Sequence, residues 1–239
     1  MLPKFELDIH THTLVSGHAY GTIREMAQAA RDQELKLWAF AEHGPAVPGA
    51  CHPIYFANIH CIPRSLYGVE VLRGCEINVL QDGTLDLEQR WIDKLDFGIA
   101  GIHGICYQDA GREQNTDNLI SCMRHPKVFF VSHPDDDHTP LNYERLVDAA
   151  VEHHVALEVN NSSFHKPDQR LGCVKNYETM LQLCMDRRAP IIVGSDAHDP
   201  SAVGDHAMAR ELLERVGFDP DLILNTSVEK FKAFVGYRG

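Results

Sequence analysis

The chain has no paired-cysteine motif. Its seven cysteines, at 51, 61, 75, 106, 122, 173 and 184, form no Cys-x-x-Cys pair, and an odd number excludes a full disulfide framework. They are expected to be reduced thiols, mostly in a core. Basic residues are scarce as well: 22 Lys and Arg against 34 Asp and Glu leave a formal charge of −12. No local basic cluster offsets it, which argues against a nucleic-acid partner. Charge-free runs are short and residues 1–5 carry no apolar stretch of signal-peptide type, so no membrane span is expected and the expected location is cytoplasmic. No linker rich in Gly, Pro or Ser divides the 239 residues, which read as a single domain, 1–239.

Histidine is what the chain has in excess. Fifteen His stand against eight Lys, and imidazole is both the commonest metal ligand and the usual acid/base group near neutral pH. Most surface histidines do nothing, so position along the chain decides. Short apolar runs at 5–10, 37–42, 69–77, 97–102, 128–132, 155–159 and 190–194 have strand length. Segments with apolar residues three or four apart lie between most of them, at 22–34, 116–124, 143–153, 174–187 and 206–216. Asn142 and Asp205 stand where helix N-caps would. Residues 52–66 are less periodic, and 81–94 reads as a turn followed by a short helix. Repeated strand-helix alternation predicts an α/β fold of parallel strands with right-handed crossovers, and periodicity leaves a closed barrel and an open sheet equally open.

The chemistry-bearing residues fall at strand ends. Asp8-Ile-His10-Thr-His12 would place three side chains on one side of an extended segment, because strand side chains alternate. Glu42-His43, Glu76, His103 and His133 close strands two to five, and Asp196-Ala-His198 follows strand seven. A lone His-x-His means little. Convergence of imidazoles and acids from six separate βα units on the C-terminal face of the strands is what a polynuclear metal site requires. Glu76, set among Val69, Val71, Leu72 and Ile77, would be a costly buried charge without a cation.

The set Asp-Ile-His10-Thr-His12-Thr, Ser-Gly-His18-Ala-Tyr, Glu-His43-Gly-Pro, Gly-Cys-Glu76, Ala-Gly-Ile-His103, Ser-His133-Pro and Gly-Ser-Asp196-Ala-His198 resembles the PHP (polymerase and histidinol phosphatase) superfamily, and within it the stand-alone YcdX-type phosphatases. The resemblance implies a distorted (β/α)7 TIM-like barrel, phosphoester hydrolysis, and three divalent ions, commonly zinc and sometimes manganese or iron. It assigns His10, His12, Glu76 and Asp196 to one ion, His103 and His133 with a bridging Glu76 to a second, and His18, His43 and His198 to a third. Two departures stand beside the motifs: Glu42 where the family usually has Asp, expected to orient His43, and Gly104 where relatives often carry a polar residue.

Three cations facing only two anionic ligands would leave the pocket positive inside an acidic protein, and such a pocket suits a small phosphorylated substrate. A carboxylate-bridged ion pair can clamp attacking and leaving oxygens, with metal-bound hydroxide as nucleophile and Glu76, Asp196 and His198 at the catalytic centre. Four alternatives stand beside this phosphatase: a histidinol phosphatase, a PHP-type phosphodiesterase or nuclease, an amidohydrolase barrel, and an inactive metal-binding scaffold. An amidohydrolase typically bridges its ions with a modified Lys, where this chain offers Glu76. Solvated loop roles are expected for His138 and His165, and surface roles for Lys166, Arg170 and Lys175. Asn160 to Ser163 read as turn or cap residues, Asp8 as a support for a ligand histidine, and His52, His60, His125, His153, His154 and His206 as structural or surface residues.

Overall fold

The computed structural model describes residues 2–237. Seven strands run parallel in chain order: β1 (Leu7–Asp8), β2 (Leu37–His43), β4 (Val69–Asn78), β5 (Phe97–Gly101), β6 (Val128–Val131), β7 (Ala156–Asn160) and β8 (Ile191–Gly194). A short β3 (Ser65–Leu66) adds antiparallel to β4. The helices are α1 (Ile23–Asp32), α2 (Gln89–Ile92), α3 (Arg112–Met123), α4 (Tyr143–His153), α5 (Cys173–Arg187), α6 (Ala207–Arg215) and α7 (Val228–Val235). The sheet curls into a nearly closed barrel, which settles the alternative that periodicity leaves open.

Local sequence sets the helix starts. Thr22 and Glu25 form a reciprocal capping box on α1, and Asn142 Oδ1 accepts the Arg145 N–H at the start of α4. Asp205 sits one residue before the α6 cap position, yet its carboxylate takes the Ala207 N–H. Of the segment 52–66, Pro53–Cys61 winds as a 3-10 helix. Periodicity does not single out α7, and its eight residues have the most distinctive position in the fold.

Alternation on the strands explains the layering. Leu37, Ala39 and Ala41 join Leu72, Phe97, Ile99, Phe130, Ala156 and Ile192 in one buried interior, while Trp38, Phe40, Val71 and Cys75 belong to a separate layer with Met26 and Ala30 of α1. Leu224, Val228, Phe231 and Val235 close the N-terminal end of that interior, with the Phe231 ring stacked on Phe130 at 5.7 Å. Following the same alternation toward the strand C-termini, the next inward positions are His43 on β2, Glu76 on β4 and Glu158 on β7. An apolar floor thus gives way to a polar mouth. All seven cysteines are free thiols, with Cys75, Cys122, Cys173 and Cys184 buried.

The seam between β1 and β8 is where the barrel is weakest. Near the mouth it is held by Asp196 N–H to His10 O (2.8 Å) and His12 N–H to Ala197 O (2.8 Å). Lower down, the buried Asn225 side chain takes the place of strand pairing. Its Nδ2 donates to Leu7 O (3.1 Å) and Val193 O (2.8 Å), and its Oδ1 accepts Val193 N–H (2.7 Å). Asn225→Leu keeps the volume but orphans three main-chain groups, so it should cost about 3 kcal/mol of stability. Urea unfolding at unchanged m-value would measure this, and a loss under about 1 kcal/mol would mean that the seam does not depend on Asn225.

Candidate metal centre at the barrel mouth

All nine sequence-selected residues meet at the mouth. Glu76, fully buried, stands at their centre with its two oxygens turned to different groups. Oε2 lies 3.3 Å from His10 Nε2, 3.5 Å from His12 Nε2 and 3.0 Å from His43 Nδ1. Oε1 lies 3.1 Å from His103 Nε2 and 2.9 Å from His133 Nε2. Asp196 Oδ1 approaches His12 Nε2 at 3.2 Å and His198 Nδ1 at 3.5 Å. His18 Nε2 and His198 Nε2 face each other at 3.0 Å, and the His18 ring stacks on His43.

For six of the seven rings, hydrogen bonding on the far side shows which nitrogen faces inward. The Nδ1 of His10 meets Glu158 Oε1 (2.6 Å), that of His12 meets Ser16 Oγ (3.1 Å), and that of His18 meets Ser16 O (3.2 Å). Likewise His103 Nδ1 meets Asn78 Oδ1 (2.8 Å) and His198 Nδ1 meets Asp196 O (2.9 Å). With an acceptor at Nδ1, each of these rings keeps a proton there and turns Nε2 to the mouth as the nitrogen that can bind an ion, the arrangement that metal-binding histidines show. His133 differs. Arg170 Nη1 donates to its Nδ1 at 3.1 Å, which puts the ring proton on Nε2. Ligation through His133 Nε2 therefore requires Arg170 to release Nδ1.

Buried polar atoms without partners mark the same spot. His10 Nε2, His12 Nε2, His43 Nδ1 and both Glu76 oxygens have no hydrogen bond. Such orphans are costly in a protein interior unless a cation satisfies them. Three groupings of these side chains have donor atoms close enough to share an ion: His12, His43 and His198; His10, His12 and Glu76; and His43, Glu76 and His103. The donor set, imidazole with carboxylate, suits zinc, manganese or iron.

Charge at the site follows the same demand. Burial pushes Glu76 up, but His103, His10 and His43 outweigh it and hold its carboxyl well below the usual range. Burial lowers His10, yet Glu158, Glu76 and Asp196 together hold it well above the ordinary imidazole value, so this cluster calls for positive charge. Burial and the Arg170 guanidinium push His133 down to about 3. His133 (φ 29°) and Asp196 (φ 53°) both adopt the left-handed region, where non-glycine residues are held at a cost that functional sites often carry. Two glycines leave the space these groups need. A Cβ on Gly101 would stand 3.0 Å from Glu76 Oε1 and 2.4 Å from Ser132 Oγ, and one on Gly194 would stand 2.0 Å from Glu158 Oε1.

Several expectations change. Strand β1 ends at Asp8, and Asp8 meets His10 at its main chain rather than at its ring: it accepts the His10 N–H (3.4 Å) together with Ser195 Oγ (2.5 Å) and Gly204 N–H (3.0 Å), with His206 Nε2 at 3.7 Å. Glu42 does not hold the His43 ring: it accepts from Thr13 Oγ1 (2.5 Å) and Ser16 Oγ (2.6 Å), and only Ser16 links it to the His43 main-chain N–H. Arg170 is no surface residue, since its guanidinium faces His133 and Asp135. Lys175 lines a different groove, and His138 pairs with Asp136. Glu158, Asn78 and Ser16 are supports that motif reading misses. Glu158 has a visible sign, an acid inside the otherwise apolar run 155–159.

The mouth opens into a cavity of about 510 Å³ whose wall includes His165, Lys166 and Arg170. A larger groove of about 890 Å³ runs along α3, α4 and α5, but no imidazole and no unpaired buried polar atom lines it. Among the described residues no helix is long and apolar enough to cross a membrane.

Comparison with known proteins gives the family and the fold. The PHP domain model matches residues 8–189. A probable phosphatase from Acetivibrio thermocellus is 38% identical over 233 residues, covering 97% of this chain and 95% of that protein. One from Clostridium novyi is 38% identical over 237 residues, covering 99% and 96%. In structure, a histidinol phosphate phosphatase from Lactococcus lactis, solved with zinc, L-histidinol and phosphate, superposes at a TM-score of 0.60 with 19% identity, covering 90% of this chain and 94% of that one. At that identity the likeness speaks for the fold alone. With the family match spanning most of the barrel and near full-length relatives well above 30% identity, the chain belongs to the PHP domain family.

Proposed function

We propose that the protein is a metal-dependent phosphatase acting on a small phosphomonoester, with Glu76 shared between two of three divalent ions. The observation that carries this is Glu76 itself, a buried carboxylate whose two oxygens face separate imidazole groups and take no hydrogen bond from either. His10, His12 and Asp196 would complete one ion's shell, His103 and His133 a second, and His18, His43 and His198 a third. Divalent ions held there supply Lewis acidity and lower the pKa of bound water to about 7. The chain's own part is to orient them. Glu158 and Asn78 fix ring tautomers, and Arg170 and Lys166 on the cavity wall offer cationic donors to phosphate oxygens. Zinc is the proposed ion, with manganese or iron as substitutes. Phosphatase naming of the full-length relatives supports the reaction class, and histidinol phosphate is one monoester that falls within it.

A phosphodiesterase is the second reading, and the formal charge of −12 weighs against a polyanionic strand. A monoester dianion offers three non-bridging oxygens to a positive pocket where a diester offers two. Metal-replete protein is therefore expected to hold close to three ions by elemental analysis, and to cleave p-nitrophenyl phosphate faster than its bis-ester or a short oligonucleotide. Less than one ion per chain would overturn the metal site, whereas faster diester cleavage would overturn the monoester preference alone.

A further inference from the structure

One buried residue outside the nine touches three of them, two through its side chain and one through its carbonyl. Ser16 ends a 3-10 turn (Leu14–Ser16) just after β1 and is fully buried. A hydroxyl has one proton to give and two lone pairs to accept with. The proton goes to Glu42 Oε2 at 2.6 Å, because that carboxyl is placed as an acceptor, taking the Thr13 N–H on Oε2 (3.1 Å) and the Thr13 hydroxyl on Oε1 (2.5 Å). The lone pairs take the His43 main-chain N–H at 3.0 Å and His12 Nδ1–H at 3.1 Å. That exhausts the hydroxyl. The Ser16 carbonyl takes His18 Nδ1–H at 3.2 Å, and the turn that aims it is fixed by Gly17, where φ is 86° and a Cβ would lie 2.2 Å from Gly49 O.

We propose that Ser16, with its hydroxyl direction set by Glu42, is a positioning residue: it locks His12 in the Nδ1–H tautomer and holds His12, His18 and His43 in register as one ligand wall. The proposal rests on the metal reading above for its purpose, although the lock itself does not need a metal to be seen. Without an acceptor at Nδ1, a neutral imidazole favours the Nε2–H form, whose proton occupies the place where a ligand lone pair is needed.

The test uses the full chain with 15N-labelled histidine. In metal-stripped wild type at slightly alkaline pH, long-range 15N–1H spectra should show His12 and His18 as Nδ1–H tautomers. Ser16→Ala should move His12 to Nε2–H and leave His18, whose acceptor is a main-chain carbonyl, unchanged. Zinc affinity, measured by chelator competition, should fall roughly 10- to 100-fold. Glu42→Gln supplies a second variant: its amide can donate to Ser16 Oγ, freeing the hydroxyl proton for His12, so a tautomer mixture and weaker zinc binding are expected. His12 staying Nδ1–H in both variants, or shifting with zinc affinity unaltered, overturns the proposal. Wild type that takes up no zinc while His12 still shifts supports the lock and overturns the metal reading instead.

Discussion

Glu76→Gln is expected to lower kcat/KM by on the order of 10³-fold, about 4 kcal/mol of transition-state stabilisation, and to strip most of the bound metal. The amide keeps the shape of the side chain but turns one acceptor oxygen into an NH2 donor. Whichever way it sits, that donor faces one of two groups, His10, His12 and His43 or His103 and His133, at the distances where Glu76 now holds them. A bridge cannot survive the loss of either arm. Elemental analysis and steady-state rates on p-nitrophenyl phosphate are the measurements, and a variant with wild-type metal content and turnover would refute the bridging role.

Metal removal is expected to have the largest effect on stability. An ion present at a thousand times its Kd stabilises the folded state by about 4 kcal/mol, and for a chain of this size each kcal/mol moves the melting temperature by about 2–4 °C. Two tightly held ions then correspond to a fall of roughly 15 °C or more on chelation. The physical source is the orphaned set: two Glu76 oxygens and three imidazole nitrogens buried without hydrogen bonds. Calorimetry before and after exhaustive chelation reads this directly. An unchanged melting temperature would mean that the orphans are tolerated without a cation, and the metal centre would have to be abandoned.

The strand-end histidines are legible in the sequence because two regularities coincide there: strands alternate with helices, and side chains at a strand's C-terminal end sit at the mouth whatever the exact bounds. Errors of a residue or two, such as β5 ending at Gly101 where the run extends to 102, do not move His103 away from Glu76. Legibility fails where a role depends on contacts across the fold. Asp8 looks like a partner of the His10 ring two residues on, but it meets only the His10 main-chain N–H, and its other partners, Ser195 and Gly204, lie 187 and 196 positions along the chain. Ser16 carries no local pattern, as its function comes from Glu42 lying 26 positions away. Glu158 is 148 positions from His10, and only the closure of the barrel makes them neighbours. α7 is short, and its apolar residues are explained by the floor they plug rather than by their spacing.

That plug has a consequence for how the protein is made. The seam strands are the first and last of the barrel, and the residues that stitch and fill it, Asn225, Val228, Phe231 and Val235, follow both. A ribosome therefore releases almost the entire βα series before the groups that complete the interior exist outside the exit tunnel. Until then the open edges of β1 and β8 and the aromatic faces of Phe97 and Phe130 have no cover of their own. The nascent chain is thus left waiting on the segment after β8, and this is the interval in which a chaperone that shields apolar surface would matter most.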